Sequence, residues 1–217
     1  MKRKRKKNNF LRRIICGLLL AVIAMYSIAE YGIPYINEQF LIHPVQPEVI
    51  DGLVVHTKFI EVGRQNRPGI KRTIKYIVIH ETGNFKAGAT AENHSIYLTK
   101  NSKVENSWHY TVDDTEIWHH LPDDEVGWHA SDGLSNPGGN LNGIGIELCV
   151  NKDGDFEKTL DNAAKLVAYL LSEYNLPLSR VKQHHDFTKK NCPQTIRNTD
   201  RWEEFLQMVK TYKNGKD

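Results

Sequence analysis

Cysteine is scarce in this sequence: three occur among 217 residues, at positions 16, 149 and 192. An exported domain that depended on disulfides for its stability would carry more of them. Cys16 lies in an apolar run, which leaves Cys149 and Cys192. A disulfide between these two residues is the alternative to metal binding by Cys192. Internal repeats are missing as well. With 40% hydrophobic and 25% charged residues, the composition is that of a globular protein.

Acidic residues are absent from the first 13 positions, which carry eight lysines and arginines. The net charge of +3 therefore describes the body of the protein poorly, because the remaining chain holds 21 basic against 26 acidic residues. A body with an excess of acids gives no electrostatic reason to expect binding to nucleic acid.

An uncharged, largely apolar run follows the basic head at residues 14–29. It is slightly short for a membrane span, which usually needs about 20 apolar residues, although Tyr31, Ile33 and Tyr35, beyond Glu30, are suited to serve as interfacial anchors. An uncleaved anchor over residues 14–33 competes with a secretory signal cleaved after residues 27–29. Bulky Tyr26 and Tyr31 crowd that cleavage site and favour the anchor. In both cases the basic head stays in the cytoplasm and the body lies outside the cytoplasmic membrane.

These features divide the chain into four parts. We predict a basic cytoplasmic head at residues 1–13 and the transmembrane anchor or signal segment at residues 14–33. Residues 34–69 contain scattered prolines and short apolar pieces, and they are interpreted as a stalk. The compact domain is predicted to cover residues 70–212.

Several segments of the compact domain have the patterns of strands. Residues 75–80 are β-branched and apolar on both faces, as expected for a buried central strand. Residues 107–112 and 116–121 flank an Asp-Asp-Thr turn, which predicts a hairpin.

The segment 143–150 alternates between apolar residues on one face and Gly143, Gly145 and Glu147 on the other. Two glycines beside a carboxylate leave room for another group to approach the sheet closely.

Helices are predicted in three places. Residues 89–100 have a loosely apolar side, and residues 160–174 repeat apolar side chains at three- and four-residue steps, the clearest helical pattern in the chain. Apolar residues between Trp202 and Val209 indicate a closing helix.

Residues 183–193 carry a histidine and a cysteine, His184 and Cys192, in a segment with no periodicity that would bury it as core. Imidazole and thiolate are suitable donors for Zn²⁺ in tetrahedral geometry. We predict that His80, at the end of the buried strand, is the third ligand; the alternative is a hydrogen-bonded core histidine. The HExxH motif of another zinc enzyme class is absent, because Asn84 follows at its last position.

Three protein ligands leave one zinc position for water, which is typical of a catalytic site. Hydrolysis then needs a base and a group that stabilises the oxyanion. Glu147, on the glycine-bearing face of its strand, is the candidate base, against the alternative of an exposed or ion-paired glutamate. Lys190 is the candidate oxyanion partner, unless it is a solvated surface lysine.

Three further residues are predicted to line the cleft and bind substrate: Trp108, His109 and His129. His185 is interpreted as a neighbour of the site or a surface residue, because adjacent side chains in an extended segment point apart.

Five segments, in this order, resemble the zinc-dependent N-acetylmuramoyl-L-alanine amidases, relatives of phage lysozyme-type amidases and peptidoglycan-recognition proteins. They are Ile77-Val78-Ile79-His80, Ser107-Trp108-His109-Tyr110, Gly127-Trp128-His129-Ala130, Gly143-Ile144-Gly145-Ile146-Glu147 and the stretch from His184 to Cys192-Pro193. The resemblance covers about residues 70–212.

This resemblance implies an α/β domain in which a mixed central β-sheet is flanked by helices and carries zinc in a surface groove. It implies cleavage of the amide between the lactyl group of N-acetylmuramic acid and L-alanine in peptidoglycan. By the match, His80, His184 and Cys192 correspond to the metal ligands, Glu147 to the catalytic glutamate and Lys190 to a lysine important in some phage members. Trp108 departs from relatives that have tyrosine near the zinc.

Two other function classes compete with a zinc amidase. A non-catalytic peptidoglycan-recognition module would typically lack the cysteine ligand, which is present here. A cysteine hydrolase built on Cys192 and His184 would need a thiol whose pKa is lowered by the neighbouring imidazole.

Overall fold

The structure of this protein is a computed structural model that describes residues 46–101 and 103–215. These residues belong to one compact unit, Gln46–Asp217. The predicted basic head, the predicted membrane segment and the first part of the predicted stalk lie outside the described residues. Within the described part of the chain, no helix combines the length and apolar character that crossing a membrane requires.

A seven-stranded mixed sheet forms the centre of the unit, with the strand order β1-β2-β5-β4-β6-β3-β7. The β1–β2 and β4–β5 pairs are antiparallel, and the other neighbours are parallel. This confirms the predicted mixed sheet and the predicted hairpin. The strands are β1 (Val49–Ile50), β2 (Leu53–Thr57), β3 (Tyr76–Glu81), β4 (Tyr110–Val112), β5 (Ile117–His119), β6 (Gly143–Leu148) and β7 (Val181–Gln183).

Six α-helices and one 3₁₀ turn, Leu178–Arg180, accompany the sheet in the described part of the chain. The helices are α1 (Ala91–Lys100), α2 (Gly139–Asn142), α3 (Phe156–Glu173), α4 (His184–Thr188), α5 (Gln194–Asn198) and α6 (Trp202–Asn214). The three predicted helices correspond to α1, α3 and α6. Helix α3 begins before the predicted residue 160 because the Asp155 side chain accepts hydrogen bonds from the Glu157 and Lys158 main chain and caps it.

The compact unit begins earlier than the predicted boundary at residue 70. Strands β1 and β2 fall in the segment interpreted as a stalk, but β2 pairs in parallel with β5. Ile50 and Val55 are buried in the core beneath the sheet. Strands of two and five residues are too short to show a clear alternation of apolar and polar side chains. They are recognised as strands by their pairing partners and not by their own sequence pattern.

The main core lies between one sheet face and the long helices α3 and α6. Alternation along the strands sends Ile77 and Ile79 of β3, and Ile144 and Ile146 of β6, into this core with no exposed surface. The intervening residues, including His80 and Glu147, therefore face the opposite side. A smaller apolar cluster occurs apart from the main core; its members are Ile60, Leu98, Val104, Trp108 and Leu121.

Truncation of the central core should be costly. Ile146→Ala removes a side chain with 0% exposure in β6, and we expect it to lower the free energy of unfolding by about 2–5 kcal/mol. Val62→Ala changes a side chain that is 67% exposed, and it should alter the free energy of unfolding by less than ~0.5 kcal/mol. Urea denaturation followed by circular dichroism measures both; equal effects would contradict the placement of Ile146.

Candidate metal centre and adjoining cleft

Strand pairing brings the three predicted ligands together. Strand β7 pairs in parallel with β3, with Gln183 opposite Ile79, so His184 emerges beside His80 at one edge of the sheet. The turn after α4 returns Cys192, and the His185 main-chain N–H donates to the Cys192 carbonyl at 3.0 Å. His80, His184 and Cys192 are all buried, and their ligand atoms lie within 4.8 Å of one another.

Two distances within this cluster are close to those expected around a tetrahedral metal ion. His80 Nδ1 lies 3.1 Å from His184 Nδ1 and 3.8 Å from Cys192 Sγ. Around tetrahedral zinc, two nitrogen ligands stand about 3.3 Å apart and nitrogen and sulfur about 3.6 Å apart, given the usual bond lengths. Two imidazoles and one thiol in this arrangement can hold a metal.

Burial decides the protonation of the metal-free cluster. Desolvation, followed by the nearby charge of Lys190, lowers the pKa of His184 to about 4. Desolvation also holds the pKa of His80 well below its ordinary value, with His129 as the next cause. Desolvation and then the Glu147 carboxyl raise the pKa of the Cys192 thiol to about 12. At neutral pH the two imidazoles are therefore neutral, and the thiol keeps its proton until a cation displaces it.

Glu147 lies beside His80 because the two are direct partners in the parallel pairing of β3 and β6. The side chain is half-buried, and its Oε2 is buried without a hydrogen-bond partner in the described structure. Desolvation raises the pKa of Glu147 to about 8; the positive charge of Lys190 opposes this shift and Glu81 adds to it. A carboxylate with a free oxygen and a pKa near neutrality is suited to proton transfer.

A cleft of about 470 Å³ adjoins the cluster, and Glu147 and Lys190 line it together with Trp108. Lys190 is exposed, and within the described residues its ammonium makes no hydrogen bond or ion pair. Trp108 is 5% exposed and donates from Nε1 to Thr111 Oγ1 at 2.7 Å. These three predicted site residues therefore share one cleft.

The structure places the other two predicted substrate-binding residues away from this cleft. His109 is fully buried, and its Nδ1 accepts a hydrogen bond from the Gly145 main chain at 3.0 Å. His129 is 8% exposed and lies against His80, with its Nδ1 3.0 Å from His80 Nε2. Gly145 permits this approach, since a Cβ there would stand 2.7 Å from His129 Cγ. The predicted space beside β6 is thus filled by protein side chains.

The segment that follows β7 is helical instead of extended. His184 and His185 begin α4, and successive side chains still diverge because a helix turns by about 100° per residue. His185 is half-buried, with Nδ1 3.1 Å from the Lys190 carbonyl oxygen. Cys149 and Cys192 are both free thiols, so the structure does not contain the alternative disulfide.

Two features of the site were missed in the sequence. Glu81, 7% exposed, accepts hydrogen bonds from the Thr195 and Ile196 main-chain N–H groups at 2.8 and 3.0 Å and so anchors the chain just after Cys192. No local pattern reveals this contact. Asn93 and Tyr97 line the cleft from the exposed side of α1, and their four-residue spacing was the signal that could have identified them.

A buried His-His-Cys cluster beside an unpaired carboxylate, at the edge of a mixed sheet, defines the class of metal-dependent hydrolases. The family model described as N-acetylmuramoyl-L-alanine amidase matches residues 70–195. The chain therefore belongs to the N-acetylmuramoyl-L-alanine amidase family.

Relatives and solved structures agree with this membership. The amidase CwlH of Bacillus subtilis is 44% identical over 157 residues, which are 72% of this chain and 61% of CwlH. The amidase XlyA of the same organism is 48% identical over 147 residues, 68% of this chain and 48% of XlyA. The chain thus spans about half to three fifths of these relatives. The solved catalytic domain of XlyA superimposes with a TM-score of 0.69 at 44% identity, over 72% of this chain and 99% of that domain.

The buried carboxyl of Glu147 should make the metal-free protein less stable as pH rises. Because its folded pKa, about 8, lies above the ordinary glutamate value of 4.5, stability is lost as pH rises from about 4.5 through 8. Glu147→Gln should therefore raise the melting temperature in the presence of a chelator, and more at pH 9 than at pH 5. Thermal denaturation at both pH values measures this. The matched change Glu105→Gln, at an exposed position, should have no such effect; equal behaviour of the two variants would contradict the argument.

Proposed function

We propose that this protein is a zinc-dependent N-acetylmuramoyl-L-alanine amidase. Its substrate is peptidoglycan, and the bond cleaved is the amide between the lactyl group of N-acetylmuramic acid and L-alanine. The observation that carries the proposal is the pairing of His80 with Glu147 across β3 and β6. This pairing sets a complete His-His-Cys donor group next to a carboxylate that faces a cleft and has an oxygen without a partner.

Each residue has a distinct role in this proposal. His80, His184 and Cys192 hold zinc, which when bound supplies Lewis acidity towards water and the amide carbonyl. Glu147 accepts the proton of the attacking water at its free carboxylate oxygen and delivers it to the departing amine of L-alanine. The Lys190 ammonium, which has no carboxylate partner in the described residues, stabilises the developing oxyanion.

The cleft lining suits a substrate that combines sugar and peptide. Four exposed or half-buried side chains supply amide groups and one aromatic ring without filling the cleft: Asn84, Asn93, Tyr97 and Asn106. Amide groups both donate and accept hydrogen bonds, and aromatic faces pack on apolar sugar surfaces. A polar, open cleft of this kind supports an extended polymer as substrate.

The alternatives are less well supported. A cysteine hydrolase needs a reactive thiolate, yet burial raises the pKa of Cys192 to about 12, which keeps the thiol protonated. A non-catalytic peptidoglycan-recognition module would have no use for a buried, unpaired carboxylate oxygen at Glu147, because such a group costs stability.

We also propose that the protein acts outside the cytoplasmic membrane, tethered by residues 14–33, or secreted if that segment is cleaved. The eight basic residues before an uncharged run at positions 14–29 support this orientation. The domain that contains the site then faces peptidoglycan.

Removal of the base should lower turnover strongly in a protein that still binds zinc. In the full chain, Glu147→Gln should lower kcat on purified peptidoglycan by ~10²- to 10⁴-fold, the usual contribution of general acid–base catalysis. Activity is measured by mass spectrometry of the released stem peptides, which carry a new amino group on L-alanine. Metal binding is measured by the zinc content of each preparation. Glu105→Gln serves as the control. Undiminished release by Glu147→Gln, or in the presence of a chelator, would refute the mechanism.

The pH dependence of zinc affinity should distinguish the proton lost by the Cys192 thiol from the proton lost by the Glu147 carboxyl. The imidazole pKa values are lowered, so between pH 6 and 8 zinc displaces the Cys192 proton but none from His184. In the Glu147→Gln variant, the logarithm of the zinc association constant should therefore rise by about one per pH unit. The unsubstituted protein should release more than one proton, because Glu147, with a pKa of about 8, ionises beside the cation. Calorimetry in buffers of different ionisation enthalpy counts these protons; no release from Glu147→Gln would contradict thiolate ligation.

A further inference from the structure

His129 occupies the space between a predicted metal ligand and the main chain of β6. Its Nδ1 lies 3.0 Å from His80 Nε2, and its Nε2 lies 3.1 Å from the Gly143 carbonyl oxygen. The His80 and His129 rings are nearly perpendicular, at 89°, with centroids 5.0 Å apart. Both ring nitrogens of His129 are therefore engaged, and neither is directed at the cleft.

These contacts determine which nitrogen of each ring carries hydrogen. A carbonyl oxygen only accepts, so the bond to Gly143 requires a hydrogen on His129 Nε2. His129 is buried, and no carboxylate of the described residues contacts it, which favours the neutral ring; its Nδ1 then has a lone pair and accepts. His80 Nε2 must donate to it. His80 Nδ1 is consequently left with its lone pair directed at His184 Nδ1 and Cys192 Sγ, at 3.1 and 3.8 Å.

The position of His129 is itself held by its surroundings. Its main-chain N–H donates to Asn140 Oδ1 at 2.8 Å, and the same oxygen accepts from Ala130 at 2.6 Å. On the ring side, two glycines leave room for the imidazole. A Cβ at Gly145 would stand 2.7 Å from His129 Cγ, and a Cβ at Gly127 would stand 3.3 Å from His129 Cδ2. The ring is thus fixed from the main chain and from both flanks.

We propose that His129 is a positioning residue for the metal centre: it fixes the tautomer and ring orientation of His80 so that Nδ1 is presented to the metal. Partners of this kind, which bind the outer nitrogen of a ligand histidine, typically govern metal affinity. The inference rests on the metal site of the proposed function. It assigns His129 a role in holding the ligand in place of the substrate contact that its sequence motif suggested.

The direct test is the tautomer of His80 in the metal-free full chain. Nitrogen-15 labelling of histidine, with long-range proton–nitrogen correlation spectra, distinguishes an Nε2–H from an Nδ1–H ring. His80 should be in the Nε2–H form in the unsubstituted protein, and this preference should be lost in His129→Phe, which keeps a ring of similar size but offers no acceptor.

Zinc affinity, measured by competition with a chromogenic chelator, provides the second readout. His129→Phe should weaken binding by roughly 10- to 100-fold. His129→Asn, whose Oδ1 can replace Nδ1 as acceptor, should recover at least part of the loss. The matched control is His119→Phe, a change at a histidine that is 1% exposed and pairs with Asp123 at 3.3 Å, apart from the cluster; it should leave affinity unchanged.

Several results would overturn the proposal: an Nδ1–H tautomer at His80 in the unsubstituted protein, wild-type zinc affinity in folded His129→Phe, or equal losses in the Phe and Asn variants. The first of these needs no variant and so does not depend on whether a substituted chain folds. All readouts are taken without substrate. Zinc binding without peptide release from peptidoglycan would therefore refute the amidase function and leave the role of His129 intact.

Discussion

The parallel pairing of β3 with β6 is the constraint on which the rest of the site depends. It sets His80 beside Glu147 on one face, and the same register buries Ile79 and Ile146 on the other. A slip of either strand by one residue would turn over the faces of that strand and place His80 or Glu147 in the helical core. The apolar core under α3 and α6 therefore holds the geometry of a polar site that it does not touch.

Burial around this pairing gives the site its chemical character. Desolvation lowers the pKa of the two histidines and raises that of Cys192 and of Glu147. The metal-free site is thus a set of neutral donors, and a bound cation would both displace protons from it and relieve the cost of an unpaired buried carboxylate. Under the proposed function, metal binding and the stability of the domain are linked for this reason.

Elements with a strong pattern were predictable from the sequence, and elements defined by their partners were not. The β-branched run of β3 and the helical period of α3 needed no tertiary information. Strand β2 did, because five residues acquire their identity by pairing with β5. Among the site residues, the grouping of His80, His184 and Cys192 followed from donor chemistry. The burial of His109 and His129 did not, since it depends on glycines elsewhere in the chain: a Cβ at Gly127 would stand 3.0 Å from His109 Cε1, and one at Gly145 would stand 2.7 Å from His129 Cγ.

The sequence by itself determined the donor types, the carboxylate next to two glycines, the sheet strands with apolar alternation and the family to which the chain belongs. Only the tertiary structure decided which nitrogen of His80 faces the other ligands, which aromatic and amide side chains form the cleft, and what anchors the turn after Cys192. The physical reason is distance along the chain. His80 meets His184 and Cys192 across separations of 104 and 112 residues, and the direction of a side chain at such a contact is set by how separate segments pack, which no local pattern encodes.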